Sequence, residues 1–146
     1  MDNFNLIGGL RDFAISKNWH FLCGDNFYEN FEASQAEFEN GQLVFVAEFS
    51  ANPIFGNGNN ISSISYAGTI MLGRKFDEDS TPASLDETFI QKYDRRLLSL
   101  MQLLAVNIAQ FACANELEIS NPSFVLAINK FDTNIDFVVG QITLIQ

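Results

Sequence analysis

Basic residues are scarce in this chain. Eight Lys and Arg stand against eighteen Asp and Glu, for a formal net charge of −10. Nucleic-acid binders need a basic footprint on phosphate, and docking on anionic lipid needs one too, so the balance argues against both classes. Charge of either sign is thin, 18% of residues where an ordinary domain has about 25%. The two cysteines, Cys23 and Cys113, lie far apart. They make neither a disulfide framework nor a CxxC pair, and a reduced compartment is the expectation. The start, Met1-Asp2-Asn3-Phe4, shows no basic region leading into an apolar core, so no signal peptide is expected. The most apolar stretch, residues 97–114, is interrupted by Ser99, Gln102, Asn107 and Gln110. It falls short of the roughly 20 predominantly apolar residues of a bilayer span and reads as a buried helix.

Catalytic constellations are also missing. Gly56-Asn57-Gly58 is not followed by the Lys and Ser or Thr of a phosphate loop, and its context is not strand-to-helix. No nucleophile elbow of the GxSxG kind occurs. His20 is the one histidine. Cys23 follows three residues later, too little for a metal site or a nucleophile pair, and His20 reads as a partly buried strand residue. Asp77 and Asp79 alternate as calcium ligands do, but the turn glycine is absent. Asp132 and Asp136 flank a turn, where Asp serves turn chemistry. No catalytic, cofactor-binding or metal-ligating residue is assigned, and no cofactor is expected.

What is present is a globular chain of 146 residues, 47% of them hydrophobic. That length suits one domain over residues 1–146, able to bury about 68–70% of its unfolded surface. Residues 3–17 carry Phe4, Ile7, Leu10 and Ala14 at helical spacing, although Gly8-Gly9 weakens the helix. Residues 19–23 form a short apolar run suited to an edge strand. Phe27, Tyr28 and Phe31 lie among acids and read as rings that plug the end of the core. Residues 41–50 alternate as a strand, with Leu43, Phe45, Ala47 and Phe49 on one side. The Asn, Gly and Pro cluster over 52–60 reads as a surface loop between antiparallel strands. Ile54 and Phe55 are oddly apolar for such a loop. They either fold back on the core or meet a partner.

Residues 61–75 give the cleanest alternation, with Ile64, Tyr66, Ile70 and Leu72 on one face. This run is long enough that it is expected to bend or to project past its neighbour. Gly68 on its apolar side marks a bulge or the close approach of a helix. Ser84-Leu85-Asp86-Glu87 matches a capping box and predicts a long helix over 85–115. Past Leu97 that helix loses all charge, and Leu98, Met101, Ala105, Ala109 and Ala112 fill much of its circumference. A helix apolar nearly all round wants cover on more than one side. Strands over 124–131 and 135–145 close the chain around Asp132-Thr133-Asn134, and both carry apolar residues at both parities. The expected architecture is α+β: an antiparallel sheet packed against one long helix and an N-terminal helix, two layers in a single domain.

The surplus apolar surface predicts self-association, with Ile54, Phe55, Leu98, Met101, Ala105 and Ala109 as candidate interface residues. A soluble monomer rarely exposes a large apolar patch, and a head-to-tail interface closes into a ring.

The order of these elements resembles the tail terminator, or tail-completion, proteins of the neck region of tailed bacteriophages. The parts that carry the resemblance are the helix over 3–17, the Trp19-His20-Phe21 strand, the breaker-rich hairpin at 52–60, the helix opened by Ser84-Leu85-Asp86-Glu87, and the hairpin around Asp132-Thr133-Asn134. The likeness spans nearly the whole chain as an order of elements and includes no diagnostic motif. The abundance of Phe and Asn is similar to phages of the Bacteroidetes. The resemblance implies a non-enzymatic structural virion protein, assembled in the host cytoplasm. It would form a homo-oligomeric ring at the end of the tail tube, stop tube growth and join tail to neck. Its partners would be tube and neck proteins, with no membrane, and DNA would pass without specific binding. The hairpin at 52–60 would be an arm toward a neighbour. Alternatives are a head–tail connector or neck subunit and, from another class, a ligand-binding α+β module whose Phe-rich interior lines a pocket. An enzyme is the least favoured reading.

Overall fold

Helix α1 (Leu6–Ser16) is started by Asn5, whose Oδ1 accepts a hydrogen bond from the Gly8 amide at 3.0 Å. In the computed structural model, which describes residues 4–23, 42–75, 97–127 and 135–146, Leu6, Leu10 and Ala14 form its buried stripe. The glycine pair has local reasons. A Cβ on Gly8 would collide with the capping side chain of Asn5, and one on Gly9 would press on the Phe111 ring at 3.4 Å.

Helix α2 (Leu98–Ala114) buries Leu100, Leu104, Asn107, Ile108, Phe111 and Ala112. Residues 85–96 of the expected long helix, and Ser84 of its capping box, lie outside the described residues. Both helices stop in the same way. Asn18 and Glu116 take positive φ, 58° and 55°. The next residue then donates back into the helix, Trp19 to the Ala14 carbonyl at 2.9 Å and Leu117 to the Ala112 carbonyl at 2.8 Å. This left-handed cap turns Trp19 and Leu117 into the core.

Five strands make one sheet: β1 (His20–Cys23), β2 (Leu43–Phe55), β3 (Ile61–Lys75), β4 (Glu118–Ala127) and β5 (Ile135–Ile145), in the order β1-β2-β3-β5-β4. β1 is the edge strand expected from residues 19–23. It runs parallel to β2, while every other pairing is antiparallel. The sheet is therefore mixed, which corrects the expectation of a wholly antiparallel one. The chain between β1 and β2 exceeds the dozen or so residues that a parallel crossover needs.

Both helices pack on one face of the sheet, against Leu43, Phe45, Ala47, Tyr66, Ile70, Leu72, Val138, Ile142 and Leu144. A run of ring contacts crosses this core. Phe111 of α2 meets Phe13 of α1, which meets Trp19, then Phe45 of β2 and Phe21 of β1, with centroids 5.6–6.1 Å apart. Here aromatic rings fill space against one another.

The opposite face has two halves. One carries a second buried cluster of Val44, Val46, Met71 and Phe137, with Leu22 and Val139 against it. Phe137 is buried there and Val138 on the helix side, so no second copy is required at either, whereas Val125 of β4 stays 62% exposed on this face. The other half is open and polar.

Several element bounds differ from expectation. Residues 52–55 belong to β2 and not to a loop. The turn is only the stretch closed by the Gly56 amide on the Asn60 carbonyl at 2.7 Å, with Gly58 at φ 79°. Pro53 is tolerated because it stands opposite Ile64, whose carbonyl is taken by the Gln146 amide on the β5 side. The imide nitrogen of Pro53 thus faces away from β3, so the β2–β3 ladder loses no donor there. β4 starts at Glu118, earlier than the expected residue 124, and passes an irregularity between Ser120 and Ser123 with Asn121 at φ 50°. Residues 128–131 and the tripeptide 132–134 lie outside the described residues, as do 27–31 and 77–79.

Gly68 does mark a close approach, but of a strand. A Cβ there would overlap the Glu48 carbonyl and Phe49 on β2. Gly140 likewise lies under the Phe124 ring of β4.

Candidate assembly surface

Among the described residues, the β2–β3 hairpin outruns its neighbours. β1 pairs with β2 only over Val44–Ala47, and the β5 register on β3 ends where Ser65 meets Ile145. Beyond these points the hairpin stands as a two-stranded arm of about four residues per strand, on the order of 13 Å long. Within the arm, Ser62 Oγ donates to the Ile54 carbonyl at 3.0 Å. Its tip is apolar and exposed: Ile54 is 44%, Phe55 64% and Ile61 47% accessible. The projection expected from the length of β3 is present.

The arm and its root are electrically empty. Residues 49–73 include no Asp, Glu, Lys, Arg or His, although the whole chain carries −10. Copies of so acidic a protein repel one another, and a charge-free surface is where that repulsion is weakest. Among the described residues, β2 has no strand partner on its β1 side past Ala47, and such an edge is a template for pairing that proteins normally blunt with charge. Glu48 supplies one charge at its start and Pro53 interrupts its donors.

At the arm's root lies a cleft of about 440 Å³. Its floor is formed by Phe49 and Ala51 of β2 with Tyr66 of β3. Its wall is Phe4, Asn5, Leu6 and Ile7 at the start of α1. Phe4 stands edge-on to Tyr66 with ring centroids 6.4 Å apart. Around the back, the open half of the second sheet face holds a shallow polar hollow of about 400 Å³. Thr69, Asn121, Ser123, Gln141 and Thr143 line it, and none is charged.

The candidate interface residues read from sequence belong to two elements. Ile54 and Phe55 are at the arm tip and exposed. Leu98, Met101 and Ala105 are half-buried along the flank of α2, and Met101 packs on the core. Only Ala109 of the helix set is exposed. The described part of α2 is covered by this chain on one side, and its other side leaves Val106 55% accessible. Sequence reasoning missed Ile61, Val106 and the aromatic cleft. Ile61 directly follows the Asn-Gly cluster, so its position at a turn was the available signal. The cleft joins residues far apart in sequence and had none.

His20 and Cys23 do not form a unit. His20 aligns with Val44 and Cys23 with Ala47, so their side chains leave opposite faces of the sheet. Cys23 and Cys113 are both exposed free thiols. Among the described residues no helix is long and apolar enough to cross a membrane, and no group of three or more His, Cys, Asp or Glu gathers to hold a metal. No protein-family model matches the chain, and no curated protein matches it.

Proposed function

We propose that this protein is a structural virion subunit that assembles as a ring at the end of a phage tail tube, ends tube growth and joins the tail to the neck. The observation that carries the reading is the charge-free arm with an uncovered apolar tip, built on a strongly acidic chain. A single copy leaves Phe55, Ile61 and the outer side of α2 in water, and a closed assembly of identical copies is the usual remedy. The polar hollow on the second sheet face, with only acidic Glu48 and Glu118 beside it on that face, supports the same reading. A wall of hydroxyls and amides offers phosphate no cation to bind, which suits a passage for DNA. The order of elements resembles tail terminators, and the ring assignment rests on that resemblance together with the arm.

The decisive experiment is sedimentation velocity of the purified protein, followed by negative-stain imaging and addition to growing tail tubes. The expected result is a discrete cyclic species that caps tubes and halts their elongation. A single 16.4 kDa subunit at all concentrations, with tubes elongating unhindered, overturns it. A connector or neck subunit of the same class would form annuli but leave elongation untouched. The cleft favours a second reading, a small-ligand-binding module. That reading expects a monomer whose melting temperature rises with an apolar ligand.

A further inference from the structure

We infer that the arm tip of one copy seats in the aromatic cleft at the arm root of the next, an inference that rests on the ring reading above. Four observations lead to this pairing.

The first is chemical match. The tip presents Ile54, Phe55 and Ile61 to solvent, and the cleft presents Phe4, Ile7, Phe49 and Tyr66. Apolar side chains gain by leaving water together, and aromatic rings gain further from edge-on packing. The second is size, since about 440 Å³ exceeds the side chains of Ile54 and Phe55 combined. The third is charge. Neither the tip nor any described residue lining the cleft is ionisable except through the Tyr66 phenol. Two copies can therefore meet here without setting carboxylate against carboxylate.

The fourth is geometry. Phe55 lies four residues beyond Ala51 on one extended strand, a separation of about 13 Å. The arm therefore cannot place its own tip in its own cleft while β2 remains a strand. A second copy can. Tip and cleft are different surfaces, so the contact is heterologous: each copy gives one arm and receives one. Such contacts propagate in one direction and close when the rotation permits. A tip-to-tip contact would be isologous and would stop at a dimer.

The test uses the full chain with Cys23→Ser and Cys113→Ser, both positions being exposed. Phe55→Cys and Ala51→Cys are made separately in that background and checked for native circular dichroism. Mixed under mild oxidation, they are expected to yield a disulfide-linked heterodimer that neither gives alone. The chain carrying both substitutions is expected to yield a ladder of covalent oligomers. In parallel, Phe55→Asp and Ala51→Trp, one charging the knob and the other filling the hole, should each weaken self-association by about tenfold or more. A dominant Phe55→Cys homodimer overturns the seating in favour of tip-to-tip contact. Annuli that persist without heterodisulfide, or that tolerate both Phe55→Asp and Ala51→Trp, overturn the seating and leave the ring reading intact. A background chain that sediments as one subunit at every concentration overturns both.

Discussion

Glu116 holds a φ of 55° at the end of α2, a conformation that costs a residue with a Cβ about 1–2 kcal/mol. The cost is accepted because the cap directs Leu117 into the core. Glu116→Gly should therefore raise stability by about 0.5–1 kcal/mol, and Glu116→Val should lower it. Urea midpoints at constant slope would read both. Gly68 is the reverse case. Its missing Cβ is where the Glu48 carbonyl and Phe49 already lie, so Gly68→Ala should destabilise by about 1–3 kcal/mol as an overpacked site. A shift of the urea midpoint below about 0.3 M would contradict it, given slopes of about 1–3 kcal/mol per molar. Neither residue's strain was visible in the sequence. Glycine is the usual signal for a left-handed helix cap, and here Asn18 and Glu116 take the role. Gly68 stood out only because it broke an apolar face.

At the scale of elements, α1 depends on its first turn. It is only 11 residues long, carries two glycines, and has no acidic residue near its start. Asn5→Ala removes the side chain that satisfies the Gly8 amide and should cost about 0.5–2 kcal/mol. Faster amide exchange confined to α1 would be the companion sign. Because Phe4 and Ile7 wall the cleft, the same variant should also weaken self-association. The elements most legible in sequence were those with a clean period. β3 alternates along its length with only Gly68 breaking the apolar face, and its expected bounds are the observed ones. Of the expected stripe Phe4, Ile7, Leu10 and Ala14, the last two are buried together with Leu6, and Phe4 and Ile7 pack half-buried against the core. Breakers misled in two places. Pro53 and Asn52 read as loop, although Pro53 turns its imide nitrogen away from β3 and costs that ladder no hydrogen bond. Asn121 and Pro122 hid the first half of β4, because a strand can absorb them by shifting register between Ser120 and Ser123. The parallel pairing of β1 could not be read at all. It is decided by the path of the chain between the strands and not by the residues of either.

For the whole molecule, the governing contrast is between an acidic body and a neutral arm. Raising ionic strength shortens the range of repulsion between copies, to about 8 Å at 0.15 M and about 3 Å at 1 M, while leaving apolar contacts in place. Self-association should therefore strengthen with sodium chloride between 0.05 and 0.5 M (roughly two Debye regimes) as followed by sedimentation velocity. Weakening over that range would mean that ion pairs hold the contact and that the neutral arm does not. The sequence announced this contrast without locating it. Net charge, the long apolar helix and the Ile54-Phe55 pair were all legible. Their spatial meaning required the register of β2 on β3, which carries the pair beyond the sheet. The terminal strands served the same argument only in part, because Phe137 and Val138 find their cover inside the chain while Val125 stays exposed.

β2 belongs to both halves of the proposed contact. Phe49 and Ala51 floor the receiving cleft, and the same strand continues outward to Phe55. A subunit that has accepted a neighbour's tip thereby has the root of its own outgoing hairpin clamped, and loses less motion when that hairpin docks in turn. Growth from the second subunit onward is then easier than the first encounter. Plotted against concentration, assembly should show a threshold and a lag, with few open fragments between the lone subunit and the completed circle.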